Sequence, residues 1–195
     1  VDLRDEGSVN DALLEVVSVH PKLTTLVFTQ RCTSDASNHE HMQVNVHAMV
    51  QIVEGLKDLM TGSDPGCVVV VSSLASRLVS TSQGVGYHLA KAAQVQAMRY
   101  LAWTLGKEGI HVNALCPSYF VREGQGAPPP SLDCLARLGA LPGPNRSAYI
   151  LRWIDFLADA QCKGVTGQAI DIDCGAGLVD PESRCLQYAS QLMKG

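Results

Sequence analysis

Glycine is missing from the whole stretch between Gly7 and Gly55, and aromatic residues make up only 5% of the 195. The first absence excludes a glycine-rich phosphate-binding turn in that stretch, because such turns need glycine where backbone approaches the anion. Charge is scarce too, at 17% of residues, with 15 basic against 19 acidic side chains and a net charge of −4. No Lys/Arg cluster stands out, which argues against a nucleic-acid partner. No apolar run approaches the roughly 20 residues that a membrane helix needs, so no membrane partner is expected. The seven cysteines are odd in number and include no C-x-x-C pair. They read as buried thiols of a reducing, cytoplasmic compartment rather than as a disulfide framework. The chain opens on Val1, with no signal peptide after it. What is abundant is apolar: 46% of residues are hydrophobic, which excludes disorder and suits one domain spanning residues 1–195.

The pattern along that domain alternates helix and strand. Val9, Ala12, Leu13, Val16 and Val17 recur at helical spacing, and Pro21 stops that helix. A short β-branched run over 23–28 reads as a strand, and a helix follows over about 40–60. Cys67–Val71 is almost wholly apolar, as a strand covered on both faces of a parallel sheet is. A second long helix is expected over about 85–107, then a strand over 110–115 stopped by Pro117. Residues 122–146 hold five prolines and read as an irregular loop. A helix over 148–158, a strand over 169–172 and a short amphipathic helix over 182–193 complete the chain. Strands separated by helices of this length predict right-handed crossovers and an α/β, Rossmann-type parallel sheet flanked by helices. Ligands of such sheets sit beyond the carboxyl ends of the strands.

Two segments placed there carry chemistry. Ser72-Ser73 follows the apolar strand, and Tyr87 and Lys91 lie four apart, on one face of the second long helix. A phenol titrates near 10 in water, and a neighbouring ammonium stabilises its phenolate. Such a Tyr can exchange a proton with an alcohol or carbonyl oxygen, which a Ser hydroxyl can also hold. The same residues also suit an ordinary helix and a turn. The fourteen-residue spacing from Ser73 to Tyr87 sets them apart.

Together these segments resemble the short-chain dehydrogenase/reductase family. The span from Gly66 to Ser73 resembles the strand leading to its catalytic serine, and Tyr87-x-x-x-Lys91-Ala-Ala93 resembles its active-site helix. Gly109-Ile-His-Val-Asn-Ala114 leading to Pro117, Gln43-Val-Asn-Val46, Phe156-Leu-Ala158, and Val165 to Asp173 resemble further family segments in order. The opening, Val1 to Asp5, resembles the strand end whose Asp borders the adenine ring. The resemblance implies an enzyme interconverting a carbonyl and an alcohol by hydride transfer with NAD or NADP, acting on a small molecule. In it Tyr87 is the general acid/base. Lys91 tunes Tyr87 and holds the nicotinamide ribose, Ser73 rather than Ser72 polarises the substrate, and Asn45 holds a water leading to solvent. Asp2, Leu3, Tyr87, Lys91, Pro117 and Ser118 are the implied cofactor-binding residues. It also implies a dimer or tetramer formed through the two long helices.

The departures are as specific as the matches. The family's opening strand, T-G-x-x-x-G-x-G turn and helix have no counterpart here, so an N-terminally truncated domain is expected, with the strand at 23–28 left as a sheet edge. A fragment of a longer protein, a short paralogue without cofactor binding, and a sheet completed by a partner chain all fit. Phe28-Thr-Gln-Arg-Cys32 replaces Asn-Asn-Ala-Gly, Ser118 replaces the Gly after Pro117, and Arg122 stands where Thr is expected. These favour an alternative: a non-catalytic subunit stabilising an active homologue in a hetero-oligomer. His39, His41 and His47 read as a solvated helix start rather than a metal site, Cys116 as a buried structural thiol, and Gly124 to Pro130 as a mobile loop.

Overall fold

Four strands of unbroken or nearly unbroken apolar sequence assemble into one parallel sheet because each can be covered on both faces. In the computed structural model, which describes residues 1–62, 66–122, 139–141, 143–159 and 161–192, these are β1 (Thr25–Phe28), β2 (Gly66–Val71), β3 (Ile110–Pro117) and β4 (Ala169–Ile172). Their spatial order is β1-β2-β3-β4, and all three pairings are parallel. Alternation along β2 divides the core. Val68 and Val70 face Met49, Val53, Met98 and Leu101, while Cys67 and Val69 face Ile150 and Leu157.

The helices are α1 (Glu6–Val19), α2 (Asn38–Met42), α3 (Ala48–Met60), α4 (Val85–Leu105), α5 (Ser147–Ala158) and α6 (Pro181–Leu192). Helix α2 starts in a capping box: Ser37 Oγ accepts from Glu40 N, and the Glu40 carboxylate accepts from Ser37 N. Helices α3 and α4 cover one face of the sheet, and α5 covers the other. No helix among the described residues is long and apolar enough to cross a membrane.

Several boundaries differ from the sequence reading, each for a local reason. Leu23 lies outside the sheet, its N–H bonded instead to Leu59 O at the end of α3. Pro117 does not stop the strand before itself but is its last residue, opposite Ile172. A proline at that position forfeits little, and the next N–H, of Ser118, bonds to Ile172 O. The helix expected over 40–60 is interrupted by a π-helical segment, Gln43–His47. The thiols are also less uniform than expected: Cys67, Cys116 and Cys162 are buried, but Cys32 and Cys174 are half-buried and Cys185 is exposed. As expected, β1 is a sheet edge. The loop segments at 123–138 and 142, with Cys134 and the Gly124–Pro130 stretch, lie outside the described residues, as does Met193.

The meeting of α2 and α4 depends on a missing side chain. A Cβ at Gly86 would lie 2.4 Å from Asn38 Oδ1 and 3.1 Å from both Asn38 Cα and His41 Cδ2. The Asn38 amide can turn away, but the backbone cannot. Gly86→Ala gains about 1 kcal/mol of helix propensity and costs about 1–3 kcal/mol in overpacking. The expected outcome is a net loss of about 1 kcal/mol with α2 pushed off α4. The urea midpoint and the loss of contact between the His41 and Tyr87 rings by NMR check it.

Candidate active site

The carboxyl end of β2 and the first turns of α4 bring Lys91 and the Ser72-Ser73 turn together. Lys91 is only 2% exposed. Its Nζ donates to Val71 O at 3.3 Å and to Gln94 Oε1 at 3.0 Å. Burial pushes its pKa down to about 8. The Arg31 guanidinium pushes the same way, against the thiols of Cys116 and Cys32. Ser72 is buried, and its hydroxyl donates to Lys91 O at 3.2 Å. Ser73 is half-buried and begins a short 3₁₀ turn, where its Oγ accepts from Ala75 N at 3.2 Å. That bond uses a lone pair and leaves the hydroxyl proton free to donate.

Tyr87 is half-buried, one turn ahead of Lys91, and Lys91 Nζ lies 5.9 Å from its ring centroid. The Arg31 guanidinium stands at the same distance, 5.9 Å. His41 meets Tyr87 edge-on, with ring centroids 6.1 Å apart. His41 thus departs from the solvated helix start expected of the three histidines. It is buried, while His39 and His47 are exposed, because the π-segment turns α2 toward α4.

Asn45 sits in the middle of that π-segment and is 1% exposed. Ala48 N reaches back five residues to Gln43 O, and Asn45 Nδ2 donates to His41 O at 2.9 Å. The side chain therefore occupies a carbonyl that a regular α-turn gives to a backbone N–H. π-turns of this kind concentrate at functional sites. Asn45 Oδ1 and His41 Nδ1 are buried without a hydrogen-bond partner among the described residues. Gln94 Nε2 takes the backbone carbonyl of Asn45 at 3.0 Å. Gln94 and His41 are the residues that sequence reasoning missed. The signal for Gln94 was its place three residues after Lys91, on the same helix face as Met98.

The remaining sequence-predicted residues lie at the end of β3 and before α1. Pro117 is buried and Ser118 half-buried at the end of β3. The Ser118 hydroxyl donates to Tyr119 O and accepts from Asn145 Nδ2. Asp2 is exposed and Leu3 half-buried, before α1. The Asp2 carboxylate accepts from the Arg4 guanidinium and Arg4 N, which holds its pKa down at about 2. Cys116 is buried, as expected, with its pKa raised by burial.

The enoyl-(acyl carrier protein) reductase family profile matches residues 1–177. The chain belongs to the short-chain dehydrogenase/reductase family. Among relatives of this family member, oxidoreductase UcpA of Escherichia coli K12 is 27% identical over 126 residues, 60% of this chain and 48% of that protein. A tropinone reductase homologue of Arabidopsis thaliana is 30% identical over 144 residues, 69% of this chain and 45% of that protein. The chain spans about half the length of these relatives. Among solved structures, a 4-hydroxyisoleucine dehydrogenase complexed with NADH superposes with a TM-score of 0.79 at 18% identity, covering 92% of this chain and 79% of that one. A gluconate 5-dehydrogenase of Burkholderia cenocepacia, in complex with NADP and tartrate, gives 0.76 at 21%, covering 92% and 74%. These likenesses establish the Rossmann-like fold of an oxidoreductase family.

The cluster's residues fit the ribose of a nicotinamide dinucleotide. Lys91 has three N–H donors, and Val71 O and Gln94 Oε1 occupy two. The third remains for a ribose hydroxyl beside Tyr87, and the orphaned Asn45 Oδ1 adds an acceptor nearby.

Proposed function

We propose that the chain carries the catalytic half of an NAD- or NADP-dependent oxidoreductase interconverting a carbonyl and an alcohol. The observation that supports it most is the buried Lys91 ammonium, tied to the end of β2 just before Ser73 and placed beside the Tyr87 ring. Tyr87 gives a proton to the substrate oxygen in reduction and takes it back in oxidation. Ser73, with its hydroxyl proton free, donates to the same oxygen. Lys91 stands beside the Tyr87 ring and holds the ribose, and Asn45 orders the π-segment behind it. The nicotinamide, when bound, supplies the hydride. Ser118 and Pro117 border its carboxamide end, and Asp2 and Leu3 its adenine end. The test is oxidation of NADH or NADPH by the full-length protein against a panel of small aldehydes and ketones, with cofactor binding measured separately. Binding with turnover supports the reading, and no binding of either nucleotide overturns it.

One observation favours a second reading. Arg31, where the family keeps a small residue against the cofactor, stands over the Tyr87 ring. A chain that binds no cofactor but co-purifies with an active homologue would be a stabilising subunit. Either reading needs an assembly surface. Ala93, Ala97 and Tyr100 of α4 line a groove with Val50 of α3, and Tyr100 and Trp103 are exposed. We therefore expect a dimer or tetramer through α3 and α4. Sedimentation at micromolar concentration checks this, and a monomer would refute it.

A further inference from the structure

Gln94 is fully buried and touches both halves of the candidate site. An ammonium only donates and a carbonyl only accepts, so the two contacts fix the amide's orientation: Oε1 toward Lys91 Nζ, Nε2 toward Asn45 O, each at 3.0 Å. The carbonyl it occupies lies in the π-segment and belongs to Asn45, the residue to which the family resemblance assigns a water leading out to solvent.

We propose that Gln94 is a positioning residue that replaces this water, clamping Lys91 to the π-segment and closing the proton path from Lys91 through Asn45. An amide accepts at oxygen and donates at nitrogen. It cannot pass a proton between them without adopting the unfavourable imidic-acid form, so the bridge holds charge in place without conducting it. Its role beside Tyr87 rests on the oxidoreductase reading, but the clamp itself does not.

The surroundings of Gln94 predict an unusual ranking of substitutions. Gln94→Leu is of comparable size and is apolar, as the buried Val95 and Met98 of the same helix are. It leaves the Lys91 ammonium and the Asn45 carbonyl facing hydrocarbon. Gln94→Ala opens a cavity walled by Lys91 Nζ, Val71 O and Asn45 O, enough polar partners for a water to enter and bridge. If Gln94 only filled space, Leu would be tolerated and Ala would be the damaging change. The clamp predicts the reverse: at pH 7 the midpoint of thermal unfolding falls in the order wild type, Ala, Leu.

The second readout is the Lys91 ammonium in a proton–nitrogen NMR spectrum of the intact chain at pH 6 to 7, assigned by its loss in Lys91→Met. Wild type gives a slowly exchanging signal. In Gln94→Ala exchange with water accelerates at least tenfold as the path reopens. In Gln94→Glu the signal persists and its titration midpoint moves to higher pH, because a carboxylate now faces it. A Leu variant as stable as wild type, or an Ala variant whose ammonium exchanges no faster, overturns the proposal. Neither measurement needs a substrate, so absence of reductase activity would refute the oxidoreductase reading and leave the clamp standing.

Discussion

Tyr87→Phe, made in the full-length protein, lowers turnover by about 10²–10⁴-fold while cofactor affinity stays nearly unchanged. The ring remains, so its contacts with His41 and with the Arg31 and Lys91 side chains are preserved. What is lost is the hydroxyl proposed to exchange a proton with the substrate oxygen. Full activity in Tyr87→Phe would mean that the proton comes from elsewhere and that the proposed role is wrong. Separating kcat from cofactor Kd guards against mistaking a binding defect for a chemical one.

The second large effect is on stability rather than rate. Unfolded Lys titrates near 10.4, and folding brings Lys91 down to about 8. Between those values the unfolded chain holds a proton that the folded chain has released, so this residue makes stability rise with pH. Below about pH 8 both states are charged and the cost of burying the ammonium is felt in full. Cys67, pushed up to about 11 by burial, acts oppositely, because the unfolded thiol ionises first and stability falls. Comparing wild type with Lys91→Met removes the thiol contribution, which both proteins share. The difference between them should shift by about 2–3 kcal/mol in favour of wild type from pH 7 to pH 10. Urea unfolding at the two pH values measures it. A difference that does not change with pH would show that Lys91 is not buried as a cation.

The parts of this molecule that sequence made legible are those in which pattern and environment are locally coupled. Val68 to Val71 could only be a doubly covered strand, and the spacing of Tyr87 to Lys91 put both on one helical face. The site's second layer was hidden for the opposite reason. A π-turn changes no composition, and a single extra residue within the 38–60 stretch leaves the apolar pattern readable as continuous helix. His41 looked like its exposed neighbours His39 and His47 because its burial depends on the direction that the π-turn gives α2 relative to α3. Gln94 is a polar residue on a helix, ordinarily a solvent-facing choice. Its partner, the Asn45 carbonyl, lies 49 positions away in the chain, and a backbone acceptor leaves no mark in the residue pattern.

The π-turn also determines which kind of genetic change this site tolerates least. In an α-helix each residue advances the face by about 100°, so the extra residue in Gln43–His47 sets the phase between α2 and α3. Downstream, Met49, Val53 and Leu56 are keyed to the core. Upstream, Asn38 and His41 are keyed to Gly86 and Tyr87. Deleting one codon in the segment would heal the helix into a more regular rod and leave the core half in register. The same deletion would swing His41 out of the site and remove the freed carbonyls around Asn45. Substitutions here trade contacts one at a time, whereas a change of length resets the angular relation between scaffold and site in a single step. The length of this five-residue segment thus carries information that the identities of its residues do not.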